Sequence, residues 1–139
     1  MGDYNLQRFL DAQQGDYERA LTEVRNGRKY SHWIWYIFPQ LKGLGMSYNS
    51  QYYGISGKEE AEAYLAHPIL GKRLREITSA FLQLKGKTAQ DVFGALDAMK
   101  VLSCMTLFNE VAPDDLFQQV IDRYYQGKTD EMTKRMLDK

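Results

Sequence analysis

An all-α fold is what this sequence predicts: one multihelical globular domain of about six to eight short helices, spanning residues 1–139. Three observations carry that reading. Apolar residues recur at helical spacing in segment after segment, residues that start and stop helices bracket those segments, and no convincing period-2 strand pair with a hairpin turn occurs. A chain of 139 residues buries roughly two thirds of its unfolded surface, enough for a core without metal or disulfide support.

The first helix is marked by Leu6, Phe9 and Leu10 on one face, and Asp16 opens a second in which Tyr17, Ala20, Leu21 and Val24 line up. Asn26-Gly27 stops it, because glycine accepts the left-handed conformation that closes a helix. Residues 31–40 then read Ser-His-Trp-Ile-Trp-Tyr-Ile-Phe-Pro-Gln and hold both tryptophans of the chain. Ser31 is read as a helix cap, and a small sheet around Trp33 to Phe38 is the alternative, since aromatic and β-branched residues favour strands. Gly43 and Gly45 mark a loop.

Ser56 and Glu59 have capping-box spacing for a helix running to about Ala66, and Pro68 suits the first position of the next. There Leu70, Leu74, Ile77, Phe81 and Leu84 form a stripe closed at Gly86. Thr88 with Asp91 caps a short turn, and Asp97 is placed to cap a helix whose apolar face is Val101, Leu102, Met105 and Phe108. Pro113-Asp114-Asp115 starts a helix carrying Leu116, Phe117, Val120, Ile121, Tyr124 and Tyr125, ended by Gly127, and Asp130 begins a C-terminal one. No repeat or linker divides the chain.

Charge narrows the partners. Lysine plus arginine (18) equals aspartate plus glutamate (18), so no global field draws the protein to nucleic acid or an anionic membrane, and neither partner is expected. No apolar run approaches the roughly 20 residues of a membrane span or follows a basic start as a signal peptide does, so the chain reads as soluble and cytoplasmic. Its single cysteine, Cys104, excludes an intramolecular disulfide.

Two histidines and one cysteine make no zinc site of the usual kind, and neither a metal nor a cofactor is predicted. The Gly43 to Ser47 loop lacks the lysine and spacing of a phosphate loop. Cys104 sits inside a predicted helix without a nearby base and reads as buried and inert. His32 is either a packed residue with one satisfied nitrogen or a ligand contact with acid-base capacity. Trp33 and Trp35 cannot share one helix face, so at least one large ring is expected to meet something besides the core.

Burying a tryptophan is worth about 4 to 6 kcal/mol as an upper estimate, comparable with the net stability of a domain. Core duty therefore explains one indole. Two, flanked by His32 and Gln40 and preceded by Arg25, Arg28 and Lys29, suit a pocket for a flat anionic ligand. Lys72, Arg73 and Arg75 stand in first helical turns, where the dipole prefers acids; they either serve an anion or are simply solvated. Lys100, Ser103 and Thr106 form a polar strip on one helix face.

The chain closely resembles a bacterial family of unknown function, domain-of-unknown-function family 1810. The resemblance rests on Leu6-Gln7-Arg8-Phe9, the decapeptide 31–40, Gly43-Leu44-Gly45, Tyr64-Leu65-Ala66-His67-Pro68, Leu70-Gly71 with Arg73-Leu74, Lys100 with Ser103, and Met105-Thr106-Leu107-Phe108. It implies an all-α fold and a small cytoplasmic protein without an established activity. The calpastatin label these sequences sometimes carry does not fit, since calpastatin is disordered and this chain is periodic and aromatic. A distant resemblance, through Leu70 to Arg73, is to YbiA-like proteins acting on N-glycosidic bonds; their Thr-x-Glu-His segment has no counterpart here.

The functional expectation is a small-molecule binding or processing protein for a nucleotide-like ligand. Its pocket would be built from His32, Trp33, Trp35, Gln40, Arg73, Lys100 and Ser103, with His32 or Asp130 as proton carrier if a reaction occurs. The alternative is a protein-interaction module using the aromatic segment as a hot-spot surface. In a third reading the rings are wholly core and function lies elsewhere.

Overall fold

Ten helices and their connections account for residues 4–138, the part of the chain that this computed structural model describes. They are α1 (Gln7–Gln14), α2 (Tyr17–Arg25), α3 (Ile34–Ile37), α4 (Tyr48–Tyr52), α5 (Lys58–Ala66), α6 (Leu70–Leu82), α7 (Ala89–Phe93), α8 (Ala95–Val111), α9 (Phe117–Tyr125) and α10 (Glu131–Leu137). The all-α expectation holds, but the count exceeds six to eight because α3 and α4 are single turns, too short to show a period. Among the described residues no strand forms. An isolated parallel bridge joins Leu41 to Ile55, with Lys42 N–H donating to Ile55 O and Ile55 N–H to Gln40 O, each at 2.8 Å.

The long helix α8 is the centre of the fold. Its residues Val101, Cys104, Met105, Leu107 and Phe108 are fully buried, and α3, α5, α7, α9 and α10 pack around it. The predicted stripe on α6 is real: Leu70, Leu74, Ile77 and Phe81 are buried. Phe81 stacks on Tyr124 at 4.0 Å and meets the edge of Phe93 at 4.9 Å; Phe93 then meets Phe38, which lies beside Trp33. Ring pairs of this kind add about 0.5–1.5 kcal/mol each beyond burial.

Several local expectations are corrected. Gly57, not Ser56, caps α5, and Glu60 rather than Glu59 reaches back to the Ser56 N–H at 2.8 Å. Glu60 is drawn inward because buried Arg8 pairs with it at 3.0 Å. Pro68 precedes α6 instead of opening it, and His67 Nδ1 accepts from the N–H groups of Ile69 and Leu70 at 3.1 and 3.2 Å. Asp97 lies within the first turn of α8, behind the cap residue Gly94, and its carboxylate meets Lys29 and Lys100. The Thr88–Asp91 capping box and the Asp130 cap of α10 form as read.

Gly71 shows why the Leu70–Arg73 pattern needs no functional cause. A Cβ there would lie 2.1 Å from the Leu65 carbonyl oxygen, so only glycine lets α5 and α6 approach this closely. Gly71→Ala gains about 1 kcal/mol of helix propensity, but the clash is with backbone and cannot be relieved by a rotamer change. The expected outcome is a net loss of roughly 2 kcal/mol, read by thermal unfolding as a Tm lower by roughly 6 °C.

Candidate functional site

The aromatic segment begins at a buried carboxylate. Glu23, on α2, accepts from Tyr30 N–H (2.7 Å), Ser31 N–H (3.0 Å), Ser31 Oγ (2.6 Å) and Trp33 Nε1 (3.0 Å). Ser31 is thus a clamp on Glu23; the residue at the N-cap position of α3 is Trp33. Burial by itself pushes the Glu23 pKa up, but the hydrogen bonds from Ser31, Tyr30 and Trp33 outweigh it and hold the group at about 2.

That clamp decides where each ring goes. Trp33 is wholly buried, its N–H on Glu23 and its face 5.1 Å from Lys29 Nζ, which in turn pairs with Asp97 at 2.9 Å. With none of its surface exposed, its place is in the core. Trp35, two residues on and within the single turn of α3, is half-buried, and Lys100 Nζ lies 5.5 Å over its ring. Tyr36 donates to Asp16, and burial together with that carboxylate pushes its phenol well above the usual range.

Beside Trp35 a crevice of about 10 Å³ runs along Gln40, Gly45, Ser50 and Tyr53, room for one water at most. Gln40, Gly45 and Ser50 also belong to a larger cleft of about 350 Å³. Its lining comes from α8 (Leu96, Met99, Lys100, Leu102 and Ser103), from Leu44 and Gly45 in the glycine loop, and from Asp130 and Met132 at the start of α10. Gly45 is required at this wall, since a Cβ would sit 2.5 Å from Ser50 Oγ. Hollows of similar size beside Ser79 and Gln83, beside Ser56 and Lys58, and beside Arg28 and Lys87 are walled mainly by polar atoms. The cleft on α8 combines a mainly apolar wall with a few polar groups, the composition of small-molecule sites.

Of the residues expected at the site, the structure brings Gln40, Lys100, Ser103 and Asp130 to this one cleft, with Trp35 reaching it through Lys100. His32 is exposed and stands outside it, its carbonyl accepting from Tyr36 OH. Arg73 lies elsewhere on α6, over the Tyr17 ring at 5.1 Å and 3.3 Å from Gln13 Oε1. Arg75 is held by Asp115 at 2.8 Å. Thr106, the third member of the polar strip, is buried and accepts the Asp130 N–H at 2.9 Å. Sequence reasoning missed Leu44, Leu96, Met99 and Met132. The available signal was that α8 carries apolar residues around its whole circumference, so one side had to meet something other than the core.

Cys104 is fully buried, and burial pushes its thiol well up, which leaves it inert. Among the described residues no group of three or more His, Cys, Asp or Glu side chains is placed to hold a metal ion. No described helix is long and apolar enough to cross a membrane.

The family model described as "Protein of unknown function (DUF1810)" matches residues 3–137. The chain belongs to that family. It is also similar to the crystal structure of the conserved hypothetical protein Rv1873 from Mycobacterium tuberculosis: 41% identity, 99% of each chain covered and a TM-score of 0.97. No curated protein matches the chain. The family assignment agrees with the motifs at 31–40, 43–45 and 100–108: the structure ties Ser31 and Trp33 to the clamp on Glu23, puts Leu44, Gly45, Lys100 and Ser103 on the cleft and buries Met105 to Phe108 in the core.

Glu23 generates a pH prediction. Its folded-state pKa lies below the ordinary 4.5, so its contribution is complete above pH 4.5 and is lost as pH falls through that value toward about 2. The shift corresponds to stability on the order of 3 kcal/mol. Denaturant unfolding across pH is expected to show this loss, and Glu23→Gln is expected to flatten it while lowering stability at neutral pH by about 2 kcal/mol.

Proposed function

We propose that the cleft between α8, the Gly45 loop and the start of α10 binds a small nucleotide-like ligand. The observation that supports this most is convergence: Gln40, Lys100, Ser103 and Asp130 come from three separate parts of the chain to one cleft of about 350 Å³. Leu96, Met99 and Met132 supply apolar surface for a flat ring, and methionine adapts to irregular shapes. If the bound molecule is processed, Asp130 is the acid on the wall and takes the proton-carrying role, while His32 stands apart.

Trp35 provides the readout because Lys100 links it to the cleft. Titration with nucleosides, nucleotides and ADP-ribose is expected to give a saturable change in tryptophan emission for at least one class. Trp35→Phe is expected to erase the signal and Met99→Glu to weaken the binding about tenfold or more. Unchanged emission and an unchanged Tm across the panel would remove this reading.

One observation favours a second reading, a protein-docking surface. Leu96, Met99 and Met132 are 76%, 68% and 51% exposed, and all three line the same cleft. Under that reading the small-molecule panel stays silent and sedimentation velocity shows a mass that rises with protein concentration.

A further inference from the structure

The hydrogen-bonding capacity that the protein leaves open in this cleft is mostly that of an acceptor. Asp130 Oδ2 is saturated, taking Ser103 Oγ at 3.0 Å, Thr133 N–H at 3.3 Å and Thr133 Oγ1. Asp130 Oδ1 has no partner among the described residues, yet it is not one of the polar atoms sealed from solvent without one. Gln40 Nε2 spends one of its two N–H groups on Phe38 O at 2.9 Å, which leaves Oε1 open as an acceptor beside one remaining N–H. The single Ser103 hydroxyl hydrogen is divided between Met99 O and Asp130, so towards the cleft this oxygen can only accept. The Ser50 hydroxyl pairs with Ser47 and can serve either role.

The donor side is weaker. Lys100 is the cation that lines the cleft among the described residues, and it is already committed in two directions. Its Nζ lies 3.3 Å from Asp97 Oδ1 and over the Trp35 ring. Asp97 holds Lys29 with its other oxygen at 2.9 Å. An incoming phosphate would have to compete with Asp97 for Lys100 and would also meet the open oxygen of Asp130. A ligand group rich in N–H donors meets neither obstacle.

Building on the cleft reading above, we infer that the part of the ligand entering the cleft is a planar head bearing at least two N–H donors. An amidine, a guanidine or an amino-substituted heterocycle has this chemistry. One donor goes to Asp130 Oδ1 and another to Gln40 Oε1, the ring face lies on Leu96, Met99 and Met132, and any phosphate stays outside.

Four probes test this on the full chain, with amide chemical shifts of Lys100, Ser103 and Asp130 as the readout. Benzamidine and benzoate share a ring and differ in donor against acceptor character; guanosine and inosine differ only in an exocyclic amine. Benzamidine is expected to bind at least about tenfold more tightly than benzoate, the size of one hydrogen bond to a charged group. Asp130→Asn keeps a competent helix cap and is expected to abolish that preference at an unchanged Tm. A guanosine preference over inosine assigns the donor edge to a nucleobase, and equal binding of the two assigns it to an amidinium-type cation. Benzoate binding as tightly as benzamidine, or a preference that survives Asp130→Asn, overturns the inference while leaving the cleft a binding site. Silence at the three amides with every probe overturns both.

Discussion

Glu23 is the point from which the functional half of the molecule is built. A carboxylate inside a helical core carries a desolvation cost of several kcal/mol, and here two backbone N–H groups, a hydroxyl and an indole N–H offset it. These donors belong to Tyr30, Ser31 and Trp33, so satisfying one charge fixes the path of the chain entering α3. Once Trp33 is turned inward, Trp35 must turn out towards α8 and Gln40 arrives at the edge of the cleft. Lys29, trapped between the Trp33 face and Asp97, joins this clamp to the first turn of α8.

A second buried charge fixes the other end of the same loop. Arg8 donates to the carbonyls of Asn5, Tyr52 and Gly54 and pairs with Glu60, which itself receives the Ser56 N–H. The segment from Gln40 to Ile55 is thereby pinned at the Leu41–Ile55 bridge and at α1. Opposite it, Thr106 and Ser103 hold Asp130 against α8. The cleft walls therefore belong to elements anchored by buried polar contacts, the kind of support that keeps a site in one geometry.

Most of the helical framework was legible because it is periodic. The stripe on α6, the Thr88 box and the Asp130 cap are local patterns, and they appear where spacing puts them. The single turns α3 and α4 carry no period, and tertiary burial of Ile34 and Ile37 overrides the strand preference of their neighbours. At the site, the polar strip of Lys100 and Ser103 was readable because helix geometry alone puts both on one face. The fate of the two indoles was not: it depends on Glu23, ten residues before Trp33 and on a different helix, and nothing in ring composition reveals such a partner. Arg73 was misplaced for a similar reason, its surroundings being Tyr17 and Gln13 from distant turns.

The position of Cys104 has a practical corollary. The chain has one sulfhydryl, sealed at the middle of the helix around which the others assemble and kept in its neutral form by its surroundings. Alkylating reagents and oxidants can therefore reach it only when the neighbours of α8 draw apart. The rate at which a maleimide attaches becomes a clock for the opening of the molecule, readable by mass without any added label.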